Sequence, residues 1–297
     1  MRVVIGGAGG FLGTALSASL RADGHEVVRL VRRTPEGPGE VSWSPADGAL
    51  DPAALAGADV AVNLAGVGVG DRRWTAAYKQ QIRASRVDST VTLSHALAAA
   101  NGGPRVLLNA SAIGYYGDRG DEVLDENAPP GDGFFPDVCR AWEAATQVAE
   151  EAGVRVCNLR SGLVVGPGGM MKRLVPLYRA GIGGPLGGGR HYMSWISLAD
   201  HVAAVRFLMT AQLSGPVNLT APKPVPNAVF SDALGKALRR PSVLPAPAFG
   251  VRLVLGEFAN NVLESARVVP RVLLDAGYVF GHPEIDGALR WAVTRPS

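Results

Sequence analysis

Cysteine is scarce in this chain: Cys139 and Cys157 are the only two in 297 residues. That is too few for a disulfide framework, and their spacing matches no metal site. Long hydrophobic runs are also missing. No window approaches about 18 uncharged apolar residues, and no basic segment followed by a long apolar stretch opens the chain. The pattern argues against a membrane span and a secretory signal, so the expectation is a cytoplasmic protein. Strong charge of one sign is lacking too: the net charge is +3 and unclustered, which gives no support for nucleic-acid binding. Lysine is rare, with Lys79, Lys172, Lys223 and Lys236 the only ones among 29 basic residues.

Apolar and glycine residues are abundant. At 47% hydrophobic the chain can bury a large core, and its length suits one large domain plus a smaller one. The apolar strand Val3-Val4-Ile5 runs into Gly7-x-x-Gly10-x-x-Gly13 and then into a helix from Leu12 to Ala22. In such a turn the first glycine permits the tight bend, the second admits pyrophosphate against the backbone, and the third lets the helix pack on the sheet. The helix N-terminus presents unpaired N–H groups and a positive dipole end to the anion. Gly7, Gly10, Phe11, Leu12 and Gly13 are therefore candidate cofactor contacts.

A second strand, Glu26 to Val31, completes a βαβ start. About 20 positions after the glycines, NAD-binding units carry an acidic residue for the ribose hydroxyl, and NADP-binding units an arginine for the 2′-phosphate. Arg32 and Arg33 stand there, and Glu26 lies at the wrong end of the strand. Arginine is the better bidentate phosphate ligand, so the expected cofactor is NADP(H).

Further along, Asp59 to Gly66 reads as a buried strand whose small end, Leu64, Ala65 and Gly66, borders the cofactor crevice. A helix is predicted from about Thr75 to Ala100, with an apolar face of Ile82, Val87, Val91, Leu93 and Leu97 and with Gln81, Arg83 and Arg86 as polar positions. A strand from Arg105 to Ala110 delivers Ser111, Tyr115 and Tyr116 to the same sheet edge; a helix from about Phe135 to Ala152 and a strand from Val154 to Val165 follow. This alternation predicts an α/β fold: a doubly wound parallel Rossmann sheet with a small C-terminal α/β substrate-binding cap. The Rossmann domain is expected over 1–166 plus about 195–221, and the cap over about 167–194 and 222–297. The glycine-rich run 181–189 reads as a loop, and cap helices are predicted around Phe230 to Arg239 and Phe249 to Leu263.

The Gly7/Gly10/Gly13 turn, the Asn63-Leu64-Ala65-Gly66 strand end and the Ser111 loop resemble the extended short-chain dehydrogenase/reductase superfamily of NAD-dependent epimerases and dehydratases. Arg73-Trp74, Ser85-Arg86, Gly184-Pro185-Leu186-Gly187, Ser194-Trp195-Ile196 and the tail Arg267 to Tyr278 resemble its atypical NADP-binding, epimerase-like branch with its own C-terminal domain. The resemblance implies NADP, a substrate pocket between the domains, and cofactor contacts at Arg32, Leu64, Ala65, Gln81, Arg86 and Val164. Many members of the superfamily pair as homodimers through the helices corresponding to 75–100 and 135–152, and the oligomeric state of this chain stays open.

The superfamily's proton chemistry rests on a serine plus Tyr-x-x-x-Lys, where the lysine lowers the tyrosine pKa. Counting back from Glu143, this chain has Phe135 and Cys139 at those two positions. Phe135 carries no exchangeable proton, and Cys139 supplies no fixed positive charge. Ser111 is the expected substrate-polarising serine, with Tyr115, Tyr116 or His191 as the group that moves the proton; two packing tyrosines and a solvated loop histidine are the bland alternatives. Three functions stay open. One is an NADP(H) oxidoreductase or epimerase-like enzyme on a small carbonyl or hydroxyl substrate. Another is a sugar-nucleotide epimerase with no net NADPH consumption. The last is a catalytically silent NADP-binding regulatory or scaffold protein, linked in some relatives to cell or plastid division.

Overall fold

The computed structural model describes residues 1–295; the last two residues of the expected cap lie outside the described residues. In chain order the strands are β1 (Arg2–Gly6), β2 (Glu26–Val31), β3 (Glu40–Ser42), β4 (Val60–Asn63), β5 (Val106–Ala112), β6 (Val123–Leu124), β7 (Arg155–Ser161), β8 (Leu163–Val165), β9 (Tyr192–Met193), β10 (Trp195–Ser197), β11 (Gly215–Leu219), β12 (Val225–Pro226) and β13 (Arg267–Val268). The helices are α1 (Phe11–Ala22), α2 (Ala76–Ala99), α3 (Phe134–Ala144), α4 (Gln147–Glu151), α5 (Met171–Arg179), α6 (Leu198–Thr210), α7 (Asn227–Leu238), α8 (Ala248–Leu255), α9 (Phe258–Leu263), α10 (Arg271–Asp275) and α11 (Ile285–Thr294). No helix among the described residues is long and apolar enough to cross a membrane.

Seven strands form the central sheet in the order β11-β7-β5-β4-β1-β2-β3, and β5, β4, β1, β2 and β3 pair in parallel. This is the expected Rossmann α/β architecture. The chain runs from β1 to β2 and β3 on one side and then returns to β4 on the other. The order therefore reverses between β1 and β4, and ligands of open α/β sheets bind outside the carboxyl ends of the strands at such a switch point. The strands are Val/Ile/Leu-rich and buried, as a sheet covered on both faces requires.

The described chain falls into two compact units. One comprises Met1–Ser111, Val138–Leu159 and Val205–Pro216. Its core gathers Val4, Val28, Leu30, Trp43, Ala61, Leu93, Leu107 and Val156. The other comprises Ala112–Asp137, Arg160–Ala204 and the segment from Val217 on, with a core of Val165, Tyr178, Trp195, Phe230, Leu234, Ile285 and Leu289.

Four predicted elements differ in extent, each for a local reason. The helix expected over 135–152 is two, α3 and α4, because the Thr146 hydroxyl donates to the Glu143 carbonyl at 2.8 Å and interrupts the ladder. The strand expected over 154–165 breaks at Gly162, where an added Cβ would lie 2.6 Å from the Ser194 carbonyl oxygen; beyond it, β8 pairs with β10. The cap helix expected over 249–263 splits at Gly256, whose φ of +63° ends α8. Ser111, expected in a loop, lies within β5.

Candidate functional site

The glycine turn has the geometry its spacing predicts. Gly7 has φ +77°, and a Cβ there would meet the Leu64 carbonyl oxygen at 2.5 Å. A Cβ on Gly13 would lie 2.3 Å from the Gly7 carbonyl oxygen, so α1 and the turn touch through backbone alone. Gly10, whose N–H donates to Gly7 O at 3.0 Å, is different. It is exposed, and a Cβ there would meet only Gly7 O at 3.3 Å. Gly10 is also the N-cap of α1, with no side-chain cap and no acidic residue in the first turn. The first N–H groups of α1 therefore carry no side-chain acceptor from the cap. Phe11 and Leu12 open this helix, both half-buried.

The two arginines after β2 part company. Arg33 donates to both carboxylate oxygens of Glu40, at 2.8 Å each, and Arg29 also pairs with Glu40. Arg33 beside it holds the Glu40 carboxyl below the usual carboxylate range. Arg32 is exposed and makes no ion pair among the described residues. A phosphate at the end of β2 thus meets one committed guanidinium and one available one.

From the carboxyl end of β4 across the middle of β5 and β7 runs a buried asparagine ladder that a reading of the sequence by motif misses. Asn63 Nδ2 donates to Asn109 Oδ1 at 3.0 Å, and Asn109 Nδ2 donates to Asn158 Oδ1 at 3.2 Å. Asn63 Oδ1 accepts from the Ala65 N–H at 3.2 Å and so shapes the turn that carries Leu64, Ala65 and Gly66 out of the sheet. The available signal is one asparagine in each of three neighbouring strands; Asn63 and Asn109 face each other in register.

On α2, Gln81 is exposed as expected, but Arg86 is not a solvated polar position: it is 8% exposed. Its Nη1 donates to Ile82 O at 2.9 Å and its Nη2 to Val67 O at 3.1 Å, and its guanidinium lies 5.0 Å from the Trp142 ring centroid. Burial lowers the Arg86 pKa, with the Cys139 thiol as a counteracting influence. The Arg86 Nε and Trp142 Nε1 hydrogens are both buried without an acceptor. Gly66 sits against this side chain, a Cβ there falling 3.4 Å from the Arg86 Cγ. The Arg86–Trp142 pair is thus a buried cation with an orphaned donor beside the strand end.

Ser111 is buried, and its Oγ donates to Glu143 Oε1 at 2.6 Å. Glu143, half-buried on α3, is a partner that the motif count locates but does not assign. Cys139 is fully buried on the same helix and is not in a disulfide. Phe135 fills the space against Gly114, where an added Cβ would lie 2.1 Å from its ring. Both positions of the usual tyrosine–lysine pair are therefore packed interior.

Tyr115, Tyr116 and His191 belong to the second unit. Tyr116 has no exposed surface; its hydroxyl donates to Asn218 Oδ1 at 2.8 Å and accepts from Arg160 Nη1 at 3.0 Å. Burial pushes its phenol up to about 12. The Arg160 guanidinium stacks 3.5 Å from the Tyr115 ring centroid. His191 is half-buried, its Nε2 has no acceptor or donor partner, and burial lowers its pKa. Val164 lies in β8, paired with Ile196. The structure thus joins Ser111 with Glu143 in one unit and builds the tyrosines into an arginine–asparagine network in the other. In that network Glu126 Oε1 accepts the Asn218 N–H at 3.0 Å.

Residues 3–219 match the NAD dependent epimerase/dehydratase family, and residues 246–292 match a domain of unknown function, DUF1731. The epimerase family protein Mb2239 of Mycobacterium bovis is 48% identical over 99% of this chain and 98% of its own. The crystal structure of human epimerase family protein SDR39U1 with NADPH superposes with a TM-score of 0.92 at 35% identity, covering 99% of both chains. A nucleoside-diphosphate sugar epimerase from Corynebacterium glutamicum gives a TM-score of 0.80 at 36% identity, covering 99% of this chain and 58% of that one. With the switch-point glycine turn, the match over most of its length and the C-terminal DUF1731 segment, this chain belongs to the NAD-dependent epimerase/dehydratase family, in the SDR39U1-like branch.

Proposed function

We propose that the protein is an NADP(H)-dependent oxidoreductase or epimerase-like enzyme acting on a small carbonyl or hydroxyl substrate. The observation that carries this is the pairing of an open glycine turn at the sheet's switch point with an exposed, unpaired Arg32 at the end of β2. The chain's own residues fit the cofactor: Gly10 leaves the backbone bare, the α1 N-terminus has no side-chain cap, and Arg86 keeps an orphaned buried N–H. Gly7, Gly10, Phe11, Leu12 and Gly13 would hold the pyrophosphate, Arg32 the 2′-phosphate, and Leu64, Ala65, Gly66, Gln81 and Arg86 the remainder. Arg33 would act through Glu40, holding the loop after β2 rather than the phosphate. When bound, NADP(H) supplies a hydride donor or acceptor. NADPH in the SDR39U1 crystal structure supports the cofactor choice, and the sugar epimerase from C. glutamicum supports a sugar nucleotide as the substrate class.

The experiment is calorimetric titration with NADP⁺, NADPH, NAD⁺ and NADH, beside Arg32→Ala. The wild type should prefer the phosphorylated cofactors. The variant should bind NADPH about ten- to a hundredfold more weakly, the value of one charge-assisted contact, with NADH unchanged. Binding of none of the four overturns the reading. A second reading, a nucleotide-binding scaffold without turnover, is favoured by the buried Phe135 and Cys139 at the tyrosine and lysine positions; tight NADPH binding with no hydride exchange on any carbonyl or sugar-nucleotide substrate would select it.

A further inference from the structure

We propose that Ser111 and Glu143 form a two-step proton relay that takes the place of the missing tyrosine–lysine pair. The inference rests on the NADP(H) reading above. The Ser111 hydroxyl has one hydrogen, and it is given to Glu143 Oε1 at 2.6 Å. Toward a substrate its Oγ is therefore an acceptor, a role opposite to that of a serine that polarises a carbonyl by donating. The pair sits where the fold delivers chemistry: Ser111 lies near the end of β5, beside β4, whose own end meets the glycine turn through Leu64 and Gly7. Behind it, Glu143 is half-buried and so keeps a route for protons to water.

The balance closes in both directions. As a substrate alcohol carbon gives up a hydride to the oxidised cofactor, its C–O bond becomes a carbonyl. The hydroxyl proton passes to Ser111 Oγ while the Ser111 proton passes to the Glu143 carboxylate. In reduction the protonated Glu143 returns its proton through Ser111 to the oxygen of the forming alcohol, as the carbon takes the hydride. Ser111 touches the substrate and is the catalytic residue; Glu143 acts through it and is a positioning residue.

The test compares wild type, Ser111→Ala, Glu143→Gln and Glu143→Asp by three readouts. These are NADPH binding by calorimetry, NADPH-dependent reduction of para-nitrobenzaldehyde in mixtures of light and heavy water, and the infrared carboxylate band of isotope-labelled protein. All four should bind NADPH alike, which shows that they are folded. Ser111→Ala and Glu143→Gln should lose about a hundredfold or more in kcat, the usual worth of a positioned proton-transfer group, and Glu143→Asp should recover part of it. The wild-type rate should curve with deuterium fraction, as two moving protons require, and become linear in Glu143→Gln. The carboxylate band lost in Glu143→Gln should shift in Ser111→Ala. A wild type that binds NADPH but does not reduce the aldehyde overturns the relay, as does a Glu143→Gln variant with wild-type kcat and the same deuterium response. A wild type that fails to bind NADPH overturns the cofactor reading and the relay with it.

Discussion

Gly7 and Gly10 stand three residues apart in one turn and meet opposite surroundings. Gly7 has φ +77° and presses on the Leu64 carbonyl, whereas Gly10 has φ −79° and faces open space apart from Gly7 O. Gly7→Ala should therefore cost about 1–3 kcal/mol of stability as well as cofactor affinity, because both backbone strain and the close approach are violated. Gly10→Ala should leave the melting temperature nearly unchanged and weaken NADPH binding, because within the protein its Cβ meets only Gly7 O, at 3.3 Å, and otherwise points to open space that a ligand would fill. Scanning calorimetry with NADPH titration of both variants separates the two, and equal loss of stability in both would contradict the assignment. These glycine roles are legible in the sequence because a seven-residue spacing between a strand and a helix dictates its own geometry. The division of labour between Arg32 and Arg33 is not legible, since it depends on Glu40 arriving from β3.

Among the elements, strand and helix positions follow from periodicity, and their interruptions follow from partners. The break between α3 and α4 requires a threonine hydroxyl turned back on a carbonyl, and the break at Gly162 requires the Ser194 carbonyl to pass within contact distance. The asparagine ladder ties the end of β4 to the middle of β5 and β7. Asn109 is its centre: it accepts from Asn63 Nδ2 and from the Thr90 hydroxyl, both at 3.0 Å, and donates to Asn158. Asn109→Leu keeps the shape but leaves buried donors and acceptors unpaired. We expect a loss of about 1–3 kcal/mol in urea unfolding, with the same m-value; a neutral result would mean that buried water replaces the amide.

Across the whole molecule, stability should depend on pH through His201. It is fully buried, hydrogen-bonded at Nε2 to Ser161 Oγ at 3.0 Å, and burial lowers its pKa to about 4. Its unfolded value is near 6.5, so the unfolded chain takes up the proton first as pH falls. Stability is complete above about pH 6.5 and declines toward about pH 4, by about 3 kcal/mol in all, from this one group. Denaturant unfolding at a series of pH values should show that decline, and His201→Gln should flatten it; an unchanged slope in the variant would assign the dependence to other groups.

The sequence by itself determined the βαβ start, the roles of Gly7, Gly10 and Gly13, the arginine-bearing end of β2 and the loss of the tyrosine–lysine pair. Each of these depends on neighbours within one turn or one strand repeat. Only the tertiary structure decided which arginine is free, that Arg86 is buried over Trp142, that Tyr116 is locked to Asn218 and Arg160, and that the Ser111 hydroxyl donates to Glu143. Burial and hydrogen-bond partnership are contests among groups distant in the chain, and Ser111 and Glu143, 32 residues apart, meet only because β5 and α3 pack together.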